Sequence, residues 1–308
     1  MSLVHEVADE VFLLTVPVPV IIKDVNIYIF RGEVPALVDA GTNSPEVVRL
    51  LDEALKYLGM SNPSKVLITH WHVDHAGGAS RLQQQGAEII IGRKDLREWQ
   101  TFMQPDSFKH FQNQICQEWG VPERESILIN RIYSGLNRLT SLPAEVRLTE
   151  DGELIRAGNM LLRVIESPGH CQGHLCFYNE QDGLLFTGDQ LLPNQIAYPG
   201  VWLEDDQVVS GSVSYLNSLR EMERLEAKTY FPGHGDPQPD PALRCREVLE
   251  QVQAQSRRYI PGENVFASAY DLSKEKPSPD RLFFNLHLVA GWKDMLRYKE
   301  QNAGTLCK

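Results

Sequence analysis

Layered α/β architecture follows from two features of this 308-residue sequence. Apolar runs of strand length alternate with helix-patterned segments through residue 91, and the strand rhythm returns after residue 160. A third feature is that loops dense in histidine, aspartate and glycine stand at the ends of those strands, the usual place for chemistry in an α/β protein.

Segments 10–15 and 25–30 read as strands, and Ala36-Leu37-Val38-Asp39 ends a third before Ala40-Gly41. Ser44-Pro45-Glu46 then supplies an N-cap, a proline at the first helical position and an acid in the first turn. Val47, Leu51, Leu55 and Leu58 share one helical face, which Gly59 ends. Residues 65–69 form a short buried strand, 77–85 a helix and 87–91 another strand.

Residues 93–142 break the alternation. They are helical in composition and carry Trp99, Phe102, Phe108, Phe111, Ile115 and Trp119, which suits either an inserted lid or an ordinary packing layer. Strands are expected again at 160–165, 175–178, 184–187 and 229–231, with a helix at 213–227. Beyond Pro237-Gln238-Pro239-Asp240-Pro241 the chain reads as helical. The expected organisation is a catalytic domain at 1–239, with its insertion at about 93–142, and a small helical module at 240–308.

A composition of 42% hydrophobic and 23% charged residues suits a globular enzyme. The net charge of −11, with no long basic run, argues against nucleic acid and against a membrane surface as partner. The apolar stretch 11–30 is interrupted by Pro17, Pro19, Lys23, Asp24 and Asn26 and does not suit a spanning helix. The first residues lack the basic-then-apolar layout of a secretory signal. Five cysteines (Cys116, Cys171, Cys176, Cys245, Cys307) without paired spacing are expected as reduced thiols, which points to the cytoplasm.

The chemistry concentrates in His70-Trp71-His72-Val73-Asp74-His75, directly after a buried strand. Three imidazoles and a carboxylate within six residues would be costly in a structural loop, whereas His and Asp are natural ligands of borderline cations such as zinc. Three further strand ends carry Pro168-Gly169-His170, Thr187-Gly188-Asp189 and Pro232-Gly233-His234-Gly235. Each alone would pass for a turn; four such loops leaving strands of one sheet system would gather at one edge. His5, His110 and His287 belong to no such motif and are expected to be structural or solvent-facing, while His174 could support a ligand or touch substrate.

This motif set resembles that of the metallo-β-lactamase fold superfamily, within it the glyoxalase II-like small-molecule hydrolases, over residues 25–236. The resemblance implies an αββα four-layer sandwich with a dinuclear site at one edge of two facing sheets. Carried over by position, His70, His72 and His170 would hold one metal, and Asp74, His75 and His234 the other, with Asp189 bridging. Asp39 matches a carboxylate that orients ligand imidazoles. Cys171, where the family commonly has a small polar residue, is expected to pack inward rather than act as nucleophile.

Two divalent cations, zinc first and iron or manganese as alternatives, would bring four positive charges against the two returned by Asp74 and Asp189. A water shared between them would ionise near neutral pH and attack an acyl carbon of a small-molecule thioester, ester or lactone. No basic residues that would grip glutathione are identifiable in the C-terminal region. The alternatives are a mononuclear iron oxygenase resembling the persulfide dioxygenases and a ligand sensor retaining the fold. Flavodiiron chemistry is disfavoured by His72, where those proteins carry glutamate. Oligomeric state is not legible.

Overall fold

The computed structural model describes residues 4–18, 24–204, 207–257, 264–272 and 277–302, without the side chains of 279, 280, 283 and 296–302. A first sheet is formed in chain order by β1 (His5–Ala8), β2 (Val11–Pro17), β3 (Asp24–Phe30), β4 (Ala36–Val38), β5 (Lys65–Leu67), β6 (Glu88–Gly92) and β7 (Arg147–Thr149). Its first four strands are antiparallel, and β4 to β7 run parallel. The second sheet contains β8 (Leu154–Ala157), β9 (Met160–Glu166), β10 (Leu175–Asn179) and β11 (Leu184–Gly188). A separate pair, β12 (Val201–Glu204) and β13 (Gln207–Ser210), precedes β14 (Thr229–Pro232) and β15 (Gln238–Pro239), which complete the second sheet beyond β11.

The sheets face each other through a dry layer. Period-2 alternation sends Tyr28 and Phe30 of β3 inward, where they meet Phe177, Phe186 and Phe231 of the second sheet. The alternate residues Val25, Ile27 and Ile29 face outward, onto α1 (Pro45–Tyr57), α3 (Ala79–Gln84) and α4 (Arg93–Phe102). Between α1 and α3 lies the single turn α2 (Val73–Ala76). The helices α5 (Pro105–Glu118) and α6 (Glu123–Leu136) follow α4. The outer face of the second sheet is covered by α7 (Ser212–Glu223), α8 (Pro241–Ser256), α9 (Val265–Asp271) and α10 (Pro279–Asn302), in one apolar cluster that also takes in Trp119 and Ile129. The expected four layers, αββα, are present.

α1 begins where its signals place it: the Ser44 hydroxyl accepts the Val47 N–H, and Pro45 occupies the first turn. Two expectations change. The strand expected at 65–69 stops at Leu67, because the Thr69 N–H is taken by the Asp39 carboxylate instead of a neighbouring strand. The helix expected at 77–85 is shorter, since Gly77-Gly78 separates α2 from α3.

Two contacts stitch the sheets at one edge: Leu175 donates its N–H to the Thr69 carbonyl (2.8 Å), and Asn26 donates to Gly233 (2.8 Å). Among the described residues no helix is long and apolar enough to cross a membrane. The four described cysteines are free and buried; Cys307 lies outside the described residues.

Candidate metal centre

The loops leaving β5, β9, β11 and β14 meet at that edge and bring all seven donors named from the sequence together. His70 Nε2 and His170 Nε2 each approach His72 Nδ1 to 3.0 Å. Asp189 lies 3.4 Å from His75 Nε2, 3.6 Å from His170 Nε2 and 3.4 Å from His234 Nε2. Asp74 is 3.8 Å from His75 and 3.5 Å from His234. Gly233 makes the approach of the fourth loop possible: a Cβ there would sit 2.4 Å from Asp189 Oδ1 and 2.6 Å from the His75 ring.

The remaining ring nitrogens are tied down by the scaffold. His75 Nδ1 donates to Asp39 Oδ2 (2.8 Å), His170 Nδ1 to the Tyr198 carbonyl (2.8 Å) and His234 Nδ1 to the Asp24 carbonyl. In each ring this leaves Nε2 as the free nitrogen, aimed inward. Asp39 also accepts the Thr69 N–H and hydroxyl (2.8 and 2.9 Å) from a left-handed backbone, φ 64°, that Asp tolerates better than most residues. His174 is not aimed at the cluster: its Nε2 accepts the Asp189 backbone N–H (3.3 Å) and its Nδ1 meets the Ser167 hydroxyl, so it supports Asp189 through the main chain.

The donor set fits a pair of cations. His75 Nε2, His234 Nε2 and Asp189 Oδ1 are buried without a hydrogen bond among the described residues, a costly arrangement that a bound cation, displacing the imidazolium protons, would relieve. The two halves differ electrostatically. Burial and the neighbouring His170 hold His72 down to about 3, and burial holds His70 well below the usual imidazole range, so both are neutral. Burial also opposes charge on His75 and His234, but Asp189, with Asp74 and for His75 also Asp39, outweighs it and raises them to about 9 and about 11. Asp74 is held at about 2 against its own burial by His75 and His234.

A pH dependence follows. In chelator-treated protein near neutrality His75 and His234 carry protons that a cation must displace, whereas His70, His72 and His170 carry none. Were two cations to bind, affinity for the one held by Asp74, His75 and His234 should fall by up to about 100-fold for each pH unit lost between 8 and 6, as two-proton linkage requires. The first equivalent should change little. Zinc titrations at three pH values, in buffers of different ionisation enthalpy, check this; equal pH slopes for both equivalents would contradict it.

A cavity of about 960 Å³ opens onto the cluster. His72, Asp74, His170, Asp189 and His234 contribute to its lining. Its walls come from α5 and α6 (Phe108, Phe111, Ile115, Tyr133), the 195–203 segment (Tyr198, Trp202) and α10 (Phe284, His287). Tyr198 stacks on Phe284 with ring centroids 4.5 Å apart.

These positions correct the sequence reading of the insertion. Trp99 and Phe102, which a lid would turn toward the cavity, are instead 0% and 1% exposed in the core beneath the first sheet, as a packing layer requires. They lie on the inner side of α4, and the Trp99 indole donates to Thr140. In the C-terminal helices Trp292 is buried in the apolar cluster it shares with α7 and α8. His110, exposed as a solvent-facing residue should be, and His287 both line the cavity. His287 is held neutral, at about 4, by burial, and bonds the Pro199 carbonyl. No local signal marked 195–203, because its role depends on what α10 brings opposite. Cys171 does pack inward, with Sγ 3.6 Å from His72 Nε2, and burial together with Asp95 and Glu98 raises its thiol well above the usual range, the reverse of an activated nucleophile.

A four-layer sandwich with a buried His/Asp cluster at the floor of an edge cavity defines a metal-binding hydrolase. The chain belongs to the metallo-beta-lactamase superfamily, whose family model matches residues 22–234. It is similar to the probable metallo-hydrolase YqjP of Bacillus subtilis, at 30% identity over 74% of this chain and 72% of that protein. It is also similar to an atrochrysone carboxyl ACP thioesterase of Emericella nidulans, at 25% identity over 70% of this chain; the match spans only 52% of that protein. Among solved structures, the metallo-beta-lactamase family protein TTHA1429 of Thermus thermophilus superposes with a TM-score of 0.81 at 25% identity, covering 96% of this chain and 94% of that one.

Proposed function

We propose that this protein hydrolyses acyl thioesters, with esters or lactones as related substrates, using two divalent metal ions. His70, His72 and His170 would hold one; Asp74, His75 and His234 the other; Asp189 stands between them. The observation that carries this reading is the convergence of seven donors, three of them with orphaned atoms, five of which line the floor of a cavity with aromatic walls. Cations bound there would polarise an acyl oxygen and lower the pKa of water, so no side-chain nucleophile is needed. Asp39 and the Asp24 and Tyr198 carbonyls keep the ligand imidazoles in the tautomer that presents Nε2. Phe108, Phe111, Ile115 and Tyr133 exclude water from the acyl group and favour an apolar chain or ring. At the outer part of the cavity Arg97 and Arg281 offer positive charge to an anionic carrier arm. The fungal relative's name, an acyl-carrier thioesterase, supports this choice over lactones.

The test pairs elemental analysis with a panel of acetyl, long-chain and aromatic acyl thioesters, lactones and phosphodiesters. Two metals per chain and preferential turnover of aromatic or long-chain thioesters are expected. Phe111→Ala, at a half-buried wall position, should raise KM for those substrates by about 10- to 50-fold through lost apolar contact, with acetyl thioesters and metal content nearly unchanged. One iron per chain with no acyl hydrolysis would overturn the proposal.

A further inference from the structure

The first turns of α4 carry two carboxyl groups, Asp95 and Glu98, three residues apart and therefore on one face. Asp95 is completely buried but caps none of its own helix N–H groups. Its Oδ2 accepts the Trp71 N–H at 2.8 Å, and its Oδ1 accepts the Gly173 N–H at 2.7 Å. Glu98 repeats the connection one turn on: Oε2 accepts the Trp71 indole N–H at 2.8 Å, and the Gln172 backbone amide favours the same carboxylate. Both carboxyl groups thus join the same two loops. Trp71 sits between His70 and His72; Gln172 and Gly173 follow His170.

The close approach is built in at the backbone. A Cβ on Gly173 would meet the Asp95 backbone nitrogen at 2.4 Å, and one on Gly92 would meet the Gly173 carbonyl oxygen at 2.6 Å. Burial disfavours both charges, pushing Asp95 up to about 7, so the pair is held there by the N–H bonds it accepts. Asp95, Glu98 and Cys171 lie within 4.8 Å of one another, but with both Asp95 oxygens and Glu98 Oε2 already accepting N–H bonds the group is better suited to holding loops than a cation.

We infer that Asp95 and Glu98 form a double clip that sets the spacing between the His70/His72 loop and the His170 loop, making them positioning residues for the first metal site. The inference rests on the ligand assignment proposed above. Phe102 of α4 also touches the first loop, its ring centroid 5.1 Å from that of Trp71, but among the described residues it is the Asp95 carboxylate that accepts backbone N–H bonds from both loops. Glu98 also lines the cavity, so the clip joins the metal floor to the substrate wall.

Cobalt(II) titration of chelator-treated protein, read by visible absorption and chelator competition, tests the clip in wild type, Asp95→Asn and Glu98→Gln. In Asp95→Asn the amide NH2 must confront one of the two N–H donors; affinity for the first equivalent should fall by about 10- to 100-fold and its absorption bands should shift, as loss of an outer partner does elsewhere. Glu98→Gln, at a half-buried site, should fold in any case and give a smaller change in the same direction. The second equivalent should retain its affinity in both. Should Asp95→Asn fail to fold, Glu98→Gln decides alone. Wild-type bands and affinities in the folded variants overturn the clip, as does equal weakening of both equivalents together with a lowered melting temperature. A wild-type protein that binds no cobalt through imidazole overturns the ligand assignment instead, which keeps the two failures distinct.

Discussion

Asp189→Asn is expected to lower kcat/KM on the best thioester by at least about a thousand-fold, while the melting temperature moves by only a few degrees. Among the described residues Asp189 is the one carboxylate within 3.6 Å of imidazoles from both halves of the site, and its Oδ1 is an orphaned buried atom. Asparagine keeps the shape and the backbone N–H bond to His174, so core packing is untouched. It removes the negative charge, and one of its two terminal atoms becomes an N–H donor that cannot hold a cation. His75 and His234 draw much of their raised basicity from Asp189, so they should lose protons more readily in the variant, which limits the cost of leaving them without a counter-charge. The comparison requires variants matched for metal content. Turnover within tenfold of wild type in fully metallated Asp189→Asn would reject the central role of this residue.

The second large effect concerns Asp39, which touches no proposed reacting atom. Its carboxylate receives the Thr69 N–H, the Thr69 hydroxyl and His75 Nδ1–H, all buried. In Asp39→Asn, two acceptor atoms become one acceptor and one donor, so the amide must turn its NH2 toward either Thr69 or His75. Turned toward His75, it forces Nδ1 to accept, moves the proton to Nε2 and blocks that nitrogen as a ligand. Affinity for the second metal equivalent should fall by about 10- to 100-fold. Stability should fall by about 2 kcal/mol from the imperfectly paired buried donor. Asn tolerates the left-handed backbone at this position as well as Asp does, so strain does not confuse the result. Chelator competition and thermal melts of the metal-free protein separate the two consequences; an unchanged second equivalent would show that Asp39 serves only to terminate β5. Asp39→Asn and Glu98→Gln are expected to injure opposite halves of the site, a pattern general destabilisation does not produce.

Much of this was legible in the chain because it is written locally. Strand and helix identity depends on the spacing of apolar residues, and the Ser44-Pro45 start of α1 depends on three adjacent positions. The His/Asp motifs work the same way: the residue types are those that bind cations, and the glycines beside them admit the close approach. Where local signals were thin the reading stopped short. β7 and β8 are only three and four residues long, each with too few residues to show a period, and the β12–β13 pair lies outside both main sheets.

By itself, the sequence determined which donors are available, that they stand at strand ends, and that the strands and helices layer. Only the tertiary structure decided what surrounds them. Whether an aromatic on 93–142 faces core or cavity depends on how each helix is rotated against its neighbours: α4 turns Trp99 and Phe102 into the core beneath the first sheet, while α5 and α6 turn Phe111 and Tyr133 toward the metal floor. Tyr198, Phe284 and His287 meet in the same wall although they come from distant segments, and Asp95 and Glu98 reach loops more than twenty residues before and more than seventy after them. Contacts of that kind are set by packing angles and loop paths, and these depend on summed interactions across the whole core rather than on the spacing of residues along any one element.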